Sequence, residues 1–171
     1  MEWPETRPGM RQQPGGIAIV RLDPAVHAES CVEMMCTSEP WLTLGRTRQS
    51  ALAVFSSPGR ETHVALRGDR LVGFVVLCME GAFVGYIQTL CVATDCRGQG
   101  IGSGLIAFAE KRIFAQTPNV FICVSSFNTA AKRLYLRLGY EIVGELRDYV
   151  VAGHSEILLR KTIGPLTRAR S

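Results

Sequence analysis

Arg97-Gly98-Gln99-Gly100-Ile101-Gly102 is the stretch that decides the fold, because it joins a predicted strand ending at Val92 to a predicted helix beginning near Ile101. The N-terminus of a helix exposes unpaired N–H groups and carries a partial positive charge, so a loop with few β-carbons leading into it can close around phosphate oxygens. Arg97 adds a cation that does not titrate in proteins. The loop therefore predicts a site for an anionic ligand.

Two common glycine-rich phosphate motifs do not fit this loop. The dinucleotide pattern G-x-G-x-x-G requires a glycine at Ser103 when counted from Gly98, and at Leu105 when counted from Gly100. The P-loop pattern requires a Gly-Lys-Ser/Thr run, which the sequence lacks. Acidic residues do not cluster as metal ligands would, which further disfavours a nucleotide-dependent phosphoryl-transfer enzyme. A tight strand-to-helix turn without a ligand is the structural alternative.

Outward from the loop, the hydropathy pattern alternates between strands and helices. The run 120–124 is apolar at every position, which predicts a strand buried on both faces. The order β-α-α-β-β-β-α-β-α-β-β predicts an α/β fold with a mixed central sheet of about seven strands and about four flanking helices. The predicted strands are 17–22, 63–66, 71–79, 83–92, 120–124, 141–151 and 156–161, and the predicted helices are 24–36, a weakly periodic one near 46–55, 101–117 and 129–138.

The chain is predicted to form one domain. Its 171 residues suit a single core, so we expect a flexible leader at 1–16, the domain at 17–161 and a basic tail at 162–171. The mean hydropathy is positive, which excludes a disordered chain. No apolar run approaches the ~20 residues that span a bilayer, and the acidic N-terminus is unlike a signal peptide. We expect a cytoplasmic protein without membrane contact.

Other site types have little support. The six cysteines form no C-x-x-C pair, and four of them lie in or beside apolar runs, as buried thiols do. The three histidines lack metal-ligand spacing, so no metal site is expected. The net charge of +4 favours anionic ligands. No basic stripe is interleaved with aromatic residues, so we expect no nucleic-acid partner. Both a monomer and a homodimer are compatible with the sequence.

Two stretches resemble the motifs of one enzyme superfamily. The glycine loop resembles motif A of the GNAT superfamily of acyl-CoA N-acyltransferases, Gln/Arg-x-x-Gly-x-Gly/Ala, with Arg97, Gly100 and Gly102 at the defined positions. The stretch Asn128-Thr-Ala-Ala-Lys-Arg-Leu-Tyr-Leu-Arg-Leu-Gly-Tyr140 resembles the N-x-x-A-x-x-L-Y-x-x-x-G-F/Y motif of the same family. The C-terminal half is also similar to the ribosomal-protein alanine N-acetyltransferases of this superfamily.

The resemblance implies a splayed sheet and a cofactor. In GNAT proteins the fourth and fifth strands splay apart, and the acyl-pantetheine arm of acetyl-CoA lies in the gap. Tyr135 matches the tyrosine whose hydroxyl approaches the sulfur and can protonate it, so it is the predicted catalytic residue. The residues implied to contact the cofactor lie in the strand before the loop, the loop and the following motif: Leu90, Cys91, Val92, Arg97, Gly98, Gln99, Gly100, Ile101, Gly102, Ser103, Asn128, Ala131 and Tyr135. A core role for the tyrosine and a helix-capping role for the asparagine are the structural alternatives.

The general base has no assignment from the sequence. Some branches of the family place a glutamate on the strand before the loop, where this chain has Tyr86, and others on the buried strand, where it has Cys123. Neither residue replaces a carboxylate. A chain of water molecules is the other possibility, passing Gln88, Thr89 or Glu80.

The implied reaction is transfer of an acetyl group from acetyl-CoA to a primary amine, either a peptide α-amine or a small amine. At neutral pH an α-amine costs roughly 3 kcal/mol less to deprotonate than a lysine amine, which favours it in a site without a strong base. Trp41 and Tyr149 are the predicted acceptor-binding residues, and Asp148 and Glu156 could attract a cationic acceptor, although such charges are more often solvated at a strand edge. The missing carboxylate leaves a second reading open, an acyl-CoA sensor without turnover.

Overall fold

The computed structural model describes residues 16–167. The predicted leader therefore lies outside the described residues except for Gly16, as do the last four residues of the predicted tail. None of the helices in residues 16–167 has both the length and the apolar character needed to cross a bilayer. The elements are β1 (Ile17–Arg21), α1 (Pro24–Cys36), α2 (Arg48–Ser56), β2 (Arg60–Arg67), β3 (Arg70–Cys78), β4 (Tyr86–Val92), a 3-10 turn (Thr94–Cys96), α3 (Ile101–Phe114), β5 (Asn119–Ser125), α4 (Thr129–Arg137), β6 (Glu141–Leu146) and β7 (Glu156–Thr162).

Local signals set the ends of the helices. Asp23 caps α1, its side chain accepting a hydrogen bond from the N–H of Ala25 at 3.0 Å, and Pro24 occupies the first turn where no N–H is needed. Thr47 and Ser50 form a reciprocal capping box at the start of α2. These caps satisfy donors that would otherwise be lost when the first turn folds.

The strands form one seven-stranded sheet in the order β1-β2-β3-β4-β5-β7-β6. All neighbours are antiparallel except β4 and β5, which run parallel. That parallel pairing is limited to Tyr86 opposite Phe121 and Ile87 opposite Ile122. Beyond these two pairs the strands separate, so the predicted splay between the fourth and fifth strands is confirmed.

A β-bulge accompanies the splay. Leu77 on β3 pairs with Ile87, but the adjacent Val76 pairs with Thr89, so Gln88 is an extra residue on β4. A bulge bends its strand and increases the local twist. The bend occurs where β4 leaves β5, and it frees one backbone edge of the second half of β4 from a strand partner within the described residues.

Helices cover both faces of the sheet. On one face, α3 and Tyr135 of α4 pack over a core that includes Val75, Ile122 and Leu159. On the other face, α1 and α2 pack over a second core that includes Phe74 and Cys91. The side chains of successive strand residues alternate between these faces, so the gap between β4 and β5 connects the two sides of the sheet.

The predicted order of elements is confirmed, with two local corrections. The strand predicted for 141–151 ends at Leu146, because Asp148 has a φ of 51° and its carboxylate accepts a hydrogen bond from the N–H of Gly153 at 2.7 Å. Residues 147–155 therefore form a loop. The strand predicted to be buried on both faces lies inside the sheet, but Phe121 and Cys123 are only half-buried. Cys123 lines the groove described below, and Phe121 packs against Phe83 with 5.1 Å between ring centroids.

Gly85 provides a test of packing beneath the groove. Its φ is +87°, and a β-carbon there would lie 2.6 Å from the carbonyl oxygen of Asn119 and 2.5 Å from Ile113 Cγ2. We expect Gly85→Ala to lower the free energy of unfolding by about 3 kcal/mol, because the new methyl group would clash with the backbone of Asn119 and the buried side chain of Ile113 at once. The matched control is Gly81→Ala, with a φ of +91° and no atom within 4 Å of the new β-carbon, which should cost about 1 kcal/mol. If urea titrations showed the same loss of unfolding free energy for both variants, the predicted clash at Gly85 would be contradicted.

Candidate active site

The separation of β4 from β5 opens a groove of about 770 Å³. Its lining comes from the two splayed strands, the glycine loop, α4, the segment between α1 and α2, the β6–β7 loop and the start of β7. The structure brings nearly all of the predicted site residues to this one groove. Those that line it are Trp41, Leu90, Cys91, Val92, Arg97, Gly98, Gly100, Ile101, Gly102, Ser103, Asn128, Ala131, Tyr135 and Tyr149.

The glycine loop presents its backbone to open space. Gly98 and Gly100 have φ values of +74° and +82°, which only glycine adopts readily, and a β-carbon built on either would meet no atom within 4 Å. Gly100 is the N-cap of α3, and no side chain caps the helix there. The first N–H groups of α3 are therefore available to an anion, as the sequence predicts.

Two side chains of the loop brace it. Arg97 Nε donates to the carbonyl of Val92 at 3.3 Å, tying the loop to the end of β4. Gln99 accepts from Arg67 at 2.7 Å and donates to the carbonyl of Asp95 at 3.2 Å. Gln99 is the one predicted cofactor contact that does not line the groove; its side chain supports the loop from behind, a role that its place in the motif does not reveal.

The start of α4 closes one side of the groove. Asn128 caps the helix, its Oδ1 accepting from the N–H of Ala131 at 3.2 Å. Tyr135 is 5% exposed and packs against the ring of Tyr140, 5.9 Å away between centroids. Within residues 16–167 its hydroxyl has no hydrogen-bond partner, and burial raises its pKa. Tyr135 is therefore a neutral hydroxyl donor in the lining of the groove.

Polar side chains of three strands meet on the α1–α2 side of the gap. Ser125 on β5 donates its hydroxyl hydrogen bond to Glu156 Oε1 on β7 at 2.6 Å. Glu156 is only 6% exposed, and burial raises the pKa of its carboxyl group, an effect that the Ser125 hydrogen bond partly offsets. The interpretation of Glu156 as a solvated strand-edge charge is therefore wrong. It is a buried carboxylate in the groove.

Tyr86 and Cys123 lie beside this carboxylate. Burial is the main cause that raises the pKa of each, and the charge of Glu156 adds to it. Their mutual hydrogen bond raises the pKa of Tyr86 and partly offsets the rise for Cys123. Both side chains therefore stay uncharged at neutral pH. Neither side chain can act as a carboxylate, so neither replaces the glutamate that the family resemblance led us to look for at these positions.

The two predicted acceptor-binding aromatics differ in their surroundings. Trp41 is 8% exposed and belongs to the core beneath α1, so it anchors its segment while lining the groove. Tyr149 is 66% exposed and lies in the β6–β7 loop, not in a strand. Arg46 and Arg137, which the sequence did not single out, add positive charge to the walls. In the described part of the chain no group of three metal-binding side chains occurs.

Comparison with known proteins gives the same family throughout. The family model described as "Acetyltransferase (GNAT) family" matches residues 28–140. The chain is 34% identical over 101 residues to "Uncharacterized N-acetyltransferase MJ1530" of Methanocaldococcus jannaschii, covering 58% of this chain and 64% of that protein. It is 29% identical over 151 residues to N-alpha-acetyltransferase RimI of Mycobacterium tuberculosis, covering 86% of this chain and 91% of that protein.

A solved structure shares the fold. A crystal structure of an aminoglycoside 6'-N-acetyltransferase complexed with coenzyme A superposes with a TM-score of 0.68 at 20% identity, covering 88% of this chain and 99% of that one. The family match covers most of the domain, including the glycine loop, the splayed strands and α4. The chain therefore belongs to the acetyltransferase (GNAT) family.

Proposed function

We propose that this protein transfers an acetyl group from acetyl-CoA to a primary amine. The observation that carries the proposal is the continuous groove, which runs from an anion-binding loop at the start of α3 to a buried carboxylate on the opposite side of the sheet. Such a groove can hold a phosphorylated donor at one end and an amine at the other. Membership of the acetyltransferase family and the coenzyme A complex of a protein with the same fold support this donor.

The donor half follows the shape of the groove. The N–H groups at the start of α3 would bind the pyrophosphate, with Arg97 beside them. The pantetheine arm would lie along the unpaired edge of β4 at Leu90 to Val92, adding a strand in place of β5. Backbone N–H groups there would bind the thioester oxygen and stabilise the negative charge that it gains during attack.

Tyr135 would donate a hydrogen bond to the sulfur as the C–S bond breaks. An ordinary thiol has a pKa near 8.5, so it is a stronger acid than a tyrosine whose pKa burial raises further. Complete proton transfer from Tyr135 is therefore uphill. The hydrogen bond stabilises the departing thiolate, which takes its proton from solvent.

The acceptor would be a peptide α-amine or a small primary amine. The α-amine is supported by the similarity to an N-alpha-acetyltransferase over most of the chain and by the exposed Tyr149 at the groove, where a peptide could lie. A small amine is supported by the shared fold with an aminoglycoside acetyltransferase. A sensor without turnover has less support, because Glu156 is a buried carboxylate that lines the groove.

An acceptor screen tests the proposal. Purified protein is incubated with acetyl-CoA and either short peptides with free N-termini, the same peptides blocked at the α-amine, or small amines, and free thiol is followed. We expect thiol release that depends on the acceptor, with blocked peptides inactive if the α-amine is the target. Coenzyme A binding without thiol release from any acceptor would favour the sensor and overturn the proposed activity.

A further inference from the structure

We propose that Glu156 is the general base that removes a proton from the acceptor amine. This inference rests on the proposed acetyl transfer and adds the group that the sequence left unassigned. It places the carboxylate on β7, one strand away from Cys123 on β5 and two strands away from Tyr86 on β4.

The register of the sheet places Glu156 beside the splay. Ser125 pairs directly with Glu156 across β5 and β7, and their 2.6 Å hydrogen bond shows that both side chains project from the same face. Cys123 lies two residues before Ser125 and therefore projects from that face too. Tyr86, in the paired part of β4, contacts Cys123 on the neighbouring strand. The carboxylate thus lies opposite Ser125, three residues beyond Ile122, where β5 has already separated from β4.

One oxygen of the Glu156 carboxylate is hydrogen-bonded, and the other is available to an acceptor amine. Its Oε1 accepts from Ser125, and within residues 16–167 its Oε2 has no hydrogen-bond partner. The other carboxylate that lines the groove among these residues is Glu39, which is exposed and accepts hydrogen bonds from the N–H and hydroxyl of Thr43. The Glu39 carboxylate therefore stabilises the turn between Glu39 and Thr43. Glu156 combines burial with a free acceptor oxygen, as a general base requires.

Proton transfer to Glu156 precedes attack on the thioester. The acceptor enters as R–NH3⁺, and Oε2 of Glu156 takes one proton, which leaves a neutral amine. The nitrogen lone pair forms a bond to the thioester carbon, and the C=O π electrons move to oxygen. The intermediate collapses, the C–S bond breaks with its electron pair on sulfur, and nitrogen loses its second proton. One proton ends on sulfur through solvent and the other returns from Glu156 to solvent.

Other titratable groups around Glu156 set the controls. Tyr86 on β4, Cys123 on β5 and Tyr149 in the β6–β7 loop face the same space, and all three are neutral when protonated. His154 precedes β7 by two residues and packs on Phe127, 5.0 Å between ring centroids. Because imidazoles titrate near neutral pH, His154→Gln must be measured beside any variant of Glu156.

The main test is Glu156→Gln, which keeps the shape of the side chain. At pH 7 about one-tenth of an α-amine of pKa near 8 is neutral. Without a base the enzyme must capture that fraction, so kcat/KM for an α-amine peptide should fall about tenfold at pH 7 and the loss should shrink above pH 8. Glu145→Gln, on the exposed edge strand β6, is the matched control and should leave the rate unchanged.

Two further measurements separate a base from a structural or binding role. Ser125→Ala removes a hydrogen bond that lowers the pKa of Glu156, so the acid limb of the kcat profile should move to higher pH. A fluorinated amine acceptor that is already neutral at pH 7 should react equally well with wild type and Glu156→Gln. A misfolded or loosened site would slow both acceptors alike.

The outcomes distinguish the two levels of the proposal. If wild-type protein acetylates no amine, the proposed function fails first. If wild type is active and Glu156→Gln keeps its rate and pH profile, Glu156 is not the base. A raised KM with unchanged kcat and unchanged acid limb would make Glu156 a binding site for the ammonium group, which also overturns the inference. If the His154→Gln variant loses the acid limb of the kcat profile, His154 is the general base and the inference about Glu156 is wrong.

Discussion

Gly100→Glu is expected to lower the affinity for coenzyme A about 10³-fold. Gly100 is the N-cap of α3, and the space beyond it is open, so a glutamate there would direct its carboxylate into the proposed pyrophosphate site. Two like charges 4 Å apart repel by roughly 4 kcal/mol at the effective dielectric of a protein surface, which corresponds to a 10³-fold change in Kd. Isothermal titration calorimetry with coenzyme A measures the change.

Gly100→Asn separates charge from backbone strain. Any side chain at a φ of +82° is strained, but asparagine tolerates this conformation and carries no charge. This variant should therefore bind coenzyme A far better than Gly100→Glu and unfold at a similar urea concentration. Acetylpantetheine, which lacks the pyrophosphate, should be used equally well by wild type and Gly100→Glu. If Gly100→Glu binds coenzyme A within threefold of wild type, the loop is not the pyrophosphate site.

The proposed donor half of the site can be predicted from the sequence because its determinants are local. The bounds of α1 follow from Asp23-Pro24, and the start of α3 follows from a change in apolar periodicity at Ile101. The positive φ values at Gly98 and Gly100 follow from the glycines themselves, which are visible in the sequence. A pattern within one stretch therefore carries both the turn and its unpaired N–H groups, and no knowledge of the sheet is needed.

The acceptor half depends on contacts between distant residues. Glu156 lies 31 positions after Ser125, and its burial follows from the pairing of β5 with β7. In the sequence, Glu156 follows polar residues and begins a short apolar run, which is typical of an exposed strand end. Its only local signal is alternation, which places it on the face opposite Ile157 and Leu159 without saying that this face borders the groove.

The loop that carries Tyr149 was missed for a related reason. Residues 141–151 include enough β-branched and aromatic residues to predict one long strand. Asp148 ends it by adopting a left-handed conformation and accepting a hydrogen bond from Gly153. Residues 147–151 could form either a turn or a continuation of the strand, and the outcome depends on whether a neighbouring strand pairs with them. β7 offers partners for 141–146 alone.

Tyr135→Phe is expected to lower kcat about 10²-fold while leaving the Kd for coenzyme A nearly unchanged. A hydrogen bond to a charged group contributes about 1.5–3 kcal/mol, and in the proposed reaction the sulfur is charged only as it leaves. Phenylalanine keeps the ring that packs against Tyr140, so the core of α4 should remain intact. Single-turnover measurements of thiol release, beside calorimetry with coenzyme A, test the two parts of the expectation.

The dependence on the leaving group decides what Tyr135 does. Because burial raises its pKa, Tyr135 stays protonated throughout pH 6–9, and the loss in the Tyr135→Phe variant should be the same across that range. An acetyl thioester of an aromatic thiol, whose thiolate needs less stabilisation, should be less sensitive to the substitution than acetylpantetheine. A loss equal for both donors would mean that Tyr135 positions α4 and does not act on the sulfur. A loss confined to the low-pH end of this range would instead show that Tyr135 deprotonates within it, with a pKa far lower than its burial implies.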